Sequence, residues 1–330
     1  MKNEKNSGIA NAYKNYFDIG AAINPGVLSF GKDLIKAEFN SVTCENEMKF
    51  ALVHPQADKY TFDKADTVLN FALENNMNMR GHTLIWHNQT GSWMFENADK
   101  KTLYARMKEH IDTVVKRYAG KVYCWDVVNE AMSDSDDGGE YLRVKSPYYQ
   151  IAGNEEFVEK AFVYAHEADP DALLFYNDYS TEKPAKRDKI YKLLKSLKDK
   201  GIPVHGIGLQ AHYDIYSDVN ELRKSIDLFA SLGLKIHITE LDISIYKYEE
   251  RDINFDTPPE DRMKLQSELY GEIFKLLREK KDNIDSVTFW GLTDKVSWLN
   301  GFPVKRNNYP LLFDGEQKPK DAYYKVIDFS

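Results

Sequence analysis

Two stretches of the chain each join a short apolar run to a glutamate at its carboxyl end: YCWDVVNE at residues 123–130 and KIHITELD at residues 235–242. Short runs of this kind, separated by longer amphipathic stretches, are typical of strands in a buried parallel sheet. Water is scarce at the end of such a strand, so an isolated charge there is costly. Glu130 and Glu240 therefore indicate a site that needs an acid and a base together, and acetal hydrolysis at a sugar has that requirement.

Strand-like runs recur along the chain, and several are apolar without clean alternation, which indicates strands covered on both faces. They are Phe17–Ile23, Ser41–Glu45, Met79–Trp86, Val122–Glu130, Ala172–Asp178, Gly206–His212, Lys235–Ile243 and Ser286–Leu292. The stretches between them repeat their apolar residues with a period of about 3.6, which predicts helices. These are Phe30–Phe39, Asp63–Asn76, Thr102–Tyr118, Glu155–Ala168, Ala185–Asp199, Val219–Leu232, Pro259–Lys281 and Tyr323–Phe329. This alternation places the chain in the α/β class and predicts one (β/α)8 TIM barrel domain over residues 1–330.

The rival architecture is a doubly wound open sheet. Such a sheet usually carries a glycine-rich phosphate turn after an early strand, and GAAIN at residues 20–24 lacks the second glycine. In a closed barrel, the long stretches Met132–Gly153, Ser244–Thr257 and Thr293–Tyr309 all follow strands. They would line one carboxyl-terminal rim, where barrel sites are built.

Composition and charge exclude several classes of partner. The formal net charge of −8 argues against nucleic acid and against an anionic membrane surface. No segment approaches about 20 consecutive apolar residues, so no membrane span is predicted.

Cys44 and Cys124 lie inside strand-like runs, which favours buried reduced thiols over a disulfide. The segment Met1–Lys14 has no apolar signal-peptide core, and we expect a cytoplasmic monomer or homodimer.

Polar or aromatic side chains gather at the carboxyl end of nearly every predicted strand. The candidate site residues are Glu45, Asn46, Lys49, His82, Trp86, Asn129, Glu130, Tyr179, Gln210, His212, His237, Glu240, Asp242, Trp290 and Trp298. A single residue of this kind is most often a satisfied core residue. Because each buried polar group needs a partner, so many at one rim indicate a shared site.

Glu130 and Glu240 belong to strands that face each other across the mouth of the predicted barrel. Two carboxyl groups that meet there repel, so one pKa rises and that group can act as an acid while the other stays ionised. The alternative is that each glutamate only pairs with a nearby base. Lys49 is the one basic residue at these strand ends.

A second alternative is a metal-dependent hydrolase on the same barrel. Its ligands would come from His82, His87, His205, His212 and His237. The first strand has no His-x-His pair, no His-Glu-x-x-His motif occurs, and His205 precedes its strand. We therefore predict that the site uses no metal and no other cofactor.

Six motifs have a familiar form: TCENEMK at 43–49, RGHTLIWH at 80–87, WDVVNE at 125–130, GLQAH at 208–212, ITELD at 238–242 and FWG at 289–291. In these motifs and in their order, the sequence resembles glycoside hydrolase family 10 endo-β-1,4-xylanases. The likeness spans about residues 17–325, and the chain is most similar in its organisation to the compact intracellular members of the family.

The resemblance implies a retaining endo-1,4-β-xylanase that acts on xylan and xylo-oligosaccharides, with Glu130 as acid/base and Glu240 as nucleophile. It implies that Asn129 bonds the sugar 2-hydroxyl and that His212 and Asp242 orient Glu240. His237 is a further supporting residue. The remaining implied contacts are Glu45, Asn46 and Lys49 on the non-reducing side, His82, Trp86 and Gln210 at the cleavage subsite, Trp290 and Trp298 as aromatic floor and wall, and Tyr179 on the leaving-group side. Cys44 departs from the family, where Ala or Pro is frequent.

Two other functions fit the same barrel. One is a sugar-binding protein without catalysis, although such proteins usually lack one of the two carboxylates. The other is an enzyme of the same mechanism that prefers a cellulose or mannan chain.

Overall fold

The computed structural model describes residues 8–135 and 141–329, and a closed parallel sheet forms its centre. The strands are β1 (Asp18–Ile23), β2 (Ser41–Cys44), β3 (Asn78–Trp86), β4 (Cys124–Asn129), β5 (Leu173–Asp178), β6 (Gly206–Leu209), β7 (His212–Asp214), β8 (Lys235–Ser244) and β9 (Ile284–Phe289). Every sheet pairing is parallel, and β6 pairs with β8 to close the ring. Because β6 and β7 are two pieces of one barrel strand, the predicted (β/α)8 barrel is confirmed.

Helices cover the outside of this barrel. They are α1 (Ile9–Ala12), α2 (Pro25–Glu38), α3 (Phe50–Val53), α4 (Asp63–Glu74), α5 (Lys100–Tyr118), α6 (Pro147–Ala152), α7 (Glu156–Ala168), α8 (Pro184–Asp199), α9 (Val219–Ala230), α10 (Glu260–Glu279) and α11 (Asp321–Ile327). Short 3-10 turns occupy Ser92–Met94, Asp294–Val296 and Trp298–Asn300. Residues 136–140 of the predicted fourth loop, and the ends 1–7 and 330 of the predicted domain, lie outside the described residues.

The helix after β1 begins earlier than its apolar period predicts. Its N-cap is Asn24, whose side chain accepts a hydrogen bond from the Val27 amide, and Pro25 occupies the first turn. Both features are typical of helix starts, and they outweigh the late onset of the amphipathic pattern. Asn24 also bonds a predicted site residue, so the cap fixes part of the barrel mouth.

The core holds both cysteines as free, buried thiols, as predicted. Burial raises the pKa of the Cys124 thiol to about 12. Across residues 8–135 and 141–329, no helix combines the length and the apolar character needed to cross a membrane.

One glycine of the barrel wall determines how closely the central side chains approach. At Gly208 on β6, a Cβ atom would lie 2.2 Å from the Asn177 side-chain oxygen and 2.7 Å from the Thr239 methyl group. These separations are shorter than any normal contact. Only glycine at this position therefore leaves room for Asn177 beneath the mouth of the barrel.

Candidate active site

Glu240 lies within β8 with its carboxylate at the mouth of the barrel, and it is only 5% exposed. Its amide donates to the Gln210 carbonyl oxygen at 2.9 Å. Its Oε1 accepts a hydrogen bond from Asn177 Nδ2 at 2.8 Å, and its Oε2 lies 3.2 Å from His212 Nε2. The carboxylate is therefore held at both oxygens.

His212 bridges two carboxylates, since its Nδ1 lies 3.0 Å from Asp242 Oδ1 on the other side of the ring. Burial disfavours the charged imidazole, but Asp242 and Glu240 outweigh it and raise the pKa of His212 to about 10. Burial likewise pushes the pKa of Glu240 upward. The His212 hydrogen bond and the electrostatic interactions with His82, His212 and Lys49 outweigh it and lower that pKa to about 2. Glu240 is therefore ionised at neutral pH.

Glu130 follows the end of β4 and has a left-handed backbone, with φ of 56°. Its amide donates to the Asn177 carbonyl at 2.9 Å, and its own carbonyl accepts from Arg143 Nε at 2.9 Å. Non-glycine residues rarely adopt this conformation. The two main-chain hydrogen bonds hold it, and they aim the side chain across the mouth.

The Glu130 carboxyl group has neutral partners. Trp86 Nε1 donates to Oε2 at 2.9 Å, and Gln210 Nε2 donates to Oε1 at 3.0 Å. Burial and the negative charge of Asp178 raise the pKa of Glu130, and the hydrogen bonds from Gln210 and Trp86 oppose this shift. Of the two glutamates, Glu130 is the better suited to carry a proton.

Asn177 on β5 connects the two glutamates. Its Nδ2 donates to Glu240 Oε1 at 2.8 Å and to Asn129 Oδ1 at 2.9 Å, and its own oxygen accepts from Thr239 at 2.7 Å. Gln210 Nε2 donates to Asn129 Oδ1 at 3.2 Å as well as to Glu130. One continuous network therefore holds Glu130 and Glu240 at the same mouth. In the sequence, Asn177 is one of the polar residues at the end of the fifth strand, with Asp178 and Tyr179, but only Tyr179 was given a role there.

The loop after β2 brings a buried cation to this mouth. Lys49 Nζ donates to Asn46 Oδ1 at 2.9 Å and lies 5.1 Å and 5.9 Å from the ring centroids of Trp86 and Trp290. Burial lowers the pKa of Lys49, while Glu240, Glu45 and Glu130 favour its charge.

Glu45 lies in the same loop. It accepts a hydrogen bond from Asn24 Nδ2 at 2.9 Å, and burial raises its pKa. The sequence analysis did not identify Asn24, which follows the predicted strand Phe17–Ile23 and precedes the predicted helix Phe30–Phe39.

Aromatic and imidazole rings close the site on the side of β9. Trp298 donates from Nε1 to Asp242 Oδ2 at 2.8 Å, and its ring centroid lies 4.9 Å from that of His212. Trp290 is almost fully buried and meets His82 edge-on at 5.3 Å. His82 is fixed in turn by Asp126, whose Oδ2 lies 2.9 Å from Nδ1.

Tyr179 lies beside Glu130 rather than beside Glu240. Its hydroxyl group bonds Asp134 and Arg143, and Lys186 Nζ lies 3.4 Å from its ring centroid. Arg143 also donates to the Glu130 carbonyl, so Tyr179 and its partners lie on the Glu130 side of the site. The sequence analysis did not identify Arg143, which no strand pattern marks.

His237 lies deeper than its predicted place at the strand end. It precedes Glu240 on β8, is fully buried and stacks on Phe175 at 4.1 Å. Its Nδ1 accepts from Arg80 Nε at 3.3 Å, and Arg80 pairs with Asp126 at 2.7 Å. Its link to the mouth is therefore indirect, through Arg80 and Asp126 to His82. A period-two pattern gives the face of a strand but not the depth.

Together these residues can perform proton transfer and nucleophilic attack on one substrate, with one protonated and one ionised carboxyl group. Among residues 8–135 and 141–329, no group of three or more His, Cys, Asp or Glu side chains is arranged to hold a metal ion.

The family model for glycosyl hydrolase family 10 matches residues 8–329. A β-1,4-xylanase of Dictyoglomus thermophilum is 50% identical over 319 residues, which is 96% of this chain and 89% of that protein. An endo-1,4-β-xylanase of Geobacillus stearothermophilus is 48% identical over 96% of each chain.

Solved structures agree with these relatives. A xylanase of Paenibacillus barcinonensis, complexed with a conduramine derivative, superposes with a TM-score of 0.95 and 43% identity over 100% of both chains. A mutant in complex with xylotriose superposes with a TM-score of 0.94 and 42% identity, over 98% of this chain and 99% of the other. On the family match, the sequence relatives and the shared barrel, this chain belongs to glycosyl hydrolase family 10.

Proposed function

We propose that the protein is a retaining endo-1,4-β-xylanase that hydrolyses internal β-1,4-xylosidic bonds of xylan and xylo-oligosaccharides. The observation that carries the proposal is the contrast between the two glutamates of one hydrogen-bonded network. The pKa of Glu240 is lowered to about 2, while that of Glu130 is raised. A double displacement on a glycoside needs this combination of an ionised nucleophile and a protonated acid.

In the first step, a Glu240 carboxylate oxygen attacks the anomeric carbon while the bond from that carbon to the leaving oxygen breaks. The Glu130 proton passes to the leaving oxygen, and a glycosyl ester of Glu240 forms. In the second step, Glu130, now ionised, takes a proton from water. The resulting hydroxyl oxygen attacks the anomeric carbon, and the ester bond breaks to restore Glu240.

Asn129 is proposed to bond the 2-hydroxyl of the sugar at the cleavage point. Gln210 and Asn177 fix its oxygen at 3.2 Å and 2.9 Å, so its amide group is oriented before substrate arrives. A bond to the 2-hydroxyl that strengthens as positive charge develops lowers the barrier rather than only the Michaelis constant.

The other substrate contacts follow the placement of each side chain. Glu45, Asn46 and Lys49 are proposed to hold sugars on the non-reducing side. His82, Trp86 and Gln210 line the cleavage subsite, with Trp290 and Trp298 as its floor and wall. His212 and Asp242 orient Glu240 and keep it ionised. Tyr179 contacts the leaving-group side, since it adjoins Glu130 through Arg143.

The decisive experiment follows the first product released from a xylo-oligosaccharide by proton NMR. Retention predicts that the β-anomer appears first and then mutarotates, whereas an initial α-anomer contradicts the mechanism. Calorimetric binding without reducing-sugar release over hours would favour a sugar-binding protein. Faster cleavage of cellotriose than of xylotriose would favour a cellulase, because xylose lacks the hydroxymethyl group that Trp298 is proposed to exclude.

A cytoplasmic location is part of the proposal. The free thiols of Cys44 and Cys124 support it, because extracellular proteins more often pair their cysteines. Cell fractionation tests the location, and activity in the medium of intact cells contradicts it. Sedimentation analysis tests the expectation of a monomer or homodimer.

A further inference from the structure

A buried tyrosine of β5 holds the chain segment that follows Glu130, the acid/base of the proposed mechanism. Tyr176 lies within β5, and its side chain is fully buried. Its hydroxyl oxygen accepts hydrogen bonds from the amide of Ala131 at 3.0 Å and from the amide of Met132 at 3.1 Å. Because these are the two residues directly after Glu130, a side chain of β5 binds the main chain next to the acid.

The Tyr176 hydroxyl group donates its own proton to Asp178. The distance to Asp178 Oδ2 is 2.5 Å, and Asp178 is fully buried as well. A tyrosine hydroxyl group has one proton and can also accept hydrogen bonds, so donation to Asp178 satisfies it together with the two amides. Asp178 is fixed in turn at its Oδ1, by Lys186 Nζ at 2.8 Å and by the Tyr179 amide at 2.9 Å. The hydroxyl group is therefore oriented by a carboxylate that is itself held in place.

β5 holds the acid from both of its faces. Side chains alternate along a strand, so Tyr176 and Asp178 lie on one face of β5 while Asn177 lies on the other. On its own side, Asn177 accepts from the Glu130 amide at 2.9 Å through its carbonyl oxygen and donates to Asn129 Oδ1 at 2.9 Å. The main chain is thus fixed at the acid by Asn177 and immediately after the acid by Tyr176.

These contacts matter because of the left-handed backbone of Glu130, with φ of 56°. A non-glycine residue keeps such a conformation where the surrounding contacts determine it. Ala131 and Met132 are buried, so their amides would lose a hydrogen-bond acceptor without gaining water if the tyrosine hydroxyl group were removed. The turn could then relax, and the Glu130 carboxyl group would move away from the leaving oxygen.

We propose that Tyr176, oriented by Asp178, is a positioning residue that fixes Glu130 through the main chain of Ala131 and Met132. The proposal rests on the proposed function, because it concerns how the acid reaches the leaving oxygen. Tyr176 is buried and acts only through other residues. Its removal therefore affects the steps in which Glu130 transfers a proton and spares the nucleophilic attack by Glu240.

The test removes the hydroxyl group alone. Tyr176→Phe is assayed on xylohexaose, whose leaving group needs a proton, and on dinitrophenyl β-xylobioside, whose leaving group needs none. Because a misplacement of about 1 Å can cost about a hundredfold, we expect kcat/KM for xylohexaose to fall by about thirtyfold. For the aryl substrate we expect kcat/KM to stay within about twofold, since its leaving group departs without an acid.

The aryl substrate also separates the two steps of the reaction. Its kcat/KM reports formation of the glycosyl ester, which needs no acid. Where hydrolysis of that ester is the slower step, kcat reports the step in which Glu130 takes a proton from water. In Tyr176→Phe we expect kcat to fall while kcat/KM is kept, so KM falls in parallel. A loss of folded enzyme would instead lower kcat and kcat/KM by the same factor.

Tyr118→Phe is the matched control. Tyr118, on α5, is also buried, and its hydroxyl group donates to Asp66 Oδ1 at 3.0 Å in the outer helical layer. This variant loses the same group, from the same kind of hydrogen bond, without any contact to the main chain of Glu130. It is expected to leave the kinetic constants of both substrates unchanged.

Asp178→Asn tests the orientation of the hydroxyl group and decides the proposal by itself if Tyr176→Phe does not fold. The charged groups that act on Glu130 are the anions Asp178 and Glu240 and the cation Lys49. Loss of the Asp178 charge lowers the pKa of Glu130, so the basic limb of the kcat/KM profile for xylohexaose should move to lower pH. We also expect the maximum of that profile to fall, because Tyr176 is less firmly oriented. A shifted limb with an unchanged maximum shows that Asp178 acts through its charge alone and overturns the proposal.

Two results with Tyr176→Phe also overturn the proposal. One is an unchanged kcat/KM for xylohexaose, and the other is an equal loss of kcat/KM on both substrates, which indicates general damage to the barrel. These results leave the proposed function intact. By contrast, if the unmodified enzyme cleaves neither substrate, the proposed function fails and this inference fails with it.

Discussion

The surroundings of Glu240 and those of Glu130 differ in charge although both lie at one mouth. Glu240 receives a hydrogen bond from His212, whose pKa is raised to about 10, and lies near the cation Lys49. Glu130 receives hydrogen bonds from the neutral side chains of Trp86 and Gln210 and feels the negative charge of Asp178. Glu240 is buried and Glu130 is half-buried, and both carboxyl groups accept good hydrogen bonds. The sign of the nearby charge, rather than the number of hydrogen bonds, therefore separates the two roles.

Replacing the nucleophile is expected to have the largest effect. Glu240→Gln keeps the shape of the side chain and removes the attacking charge, so turnover of any xylosidic substrate should fall by about five orders of magnitude. The measurement is release of an aryl leaving group from an aryl xylobioside. Glu182→Gln is the matched control, because Glu182 lies in the loop that follows β5. A similar loss of turnover in this variant contradicts the assignment of Glu240 as the nucleophile.

Replacing the acid is expected to be selective. Glu130→Ala should reduce xylan hydrolysis by about three orders of magnitude, since a positioned acid contributes on that scale. The kcat/KM for a substrate with a strongly activated leaving group should change little, because its departure needs no proton. Equal losses on the two substrates contradict the division of roles between the glutamates.

Removing the charge of His212 should raise the pKa of Glu240, as the pKa of Glu130 is raised. In His212→Gln the cation is lost while burial remains, so the pKa of Glu240 is expected to rise from about 2. Glu240 must be ionised to attack, and its loss of charge therefore begins at a higher pH. The acid limb of the kcat/KM profile should shift upward.

His205→Gln serves as the control for this pH experiment. His205 lies before β6, at the opposite end of the same barrel strand, where its Nδ1 accepts from the Leu174 amide at 2.9 Å. Its replacement should leave the acid limb where it is. If the acid limb of the kcat/KM profile does not move in His212→Gln, the contact of His212 with Glu240 and Asp242 does not set the pKa of Glu240.

Replacing Arg143 tests the hydrogen bond that holds the main chain of Glu130, and it is expected to have the smallest effect on xylan cleavage. Arg143→Met removes the donor to the Glu130 carbonyl, a charge-assisted hydrogen bond whose loss should slow xylan cleavage about tenfold. Activated aryl substrates should be spared, since the effect passes through the acid. Arg187→Met removes an arginine paired with Glu221 at 3.0 Å and is the control. Equal slowing of both substrate classes by Arg143→Met contradicts this support.

The strands and helices could be predicted from the sequence, but the side-chain contacts between distant residues could not. The strands and most helices follow from apolar period, and the reduced thiols follow from their place in apolar runs. The roles of Asn177 and Arg143 could not be predicted, because they depend on contacts with Glu240 and Glu130 that only folding creates. His237 was placed too high because alternation along a strand carries no information on depth.

The sequence by itself determined that two carboxylates meet at the mouth of a barrel. Parallel strands end on one rim, so any residues at their carboxyl ends must share it. The resemblance implied which carboxylate is the nucleophile, but only the tertiary structure showed why that carboxylate is the ionised one. That outcome depends on Coulomb interactions and burial at distances of a few ångströms, and the residues responsible, His212 for Glu240 and Asp178 for Glu130, come close only once the chain is folded.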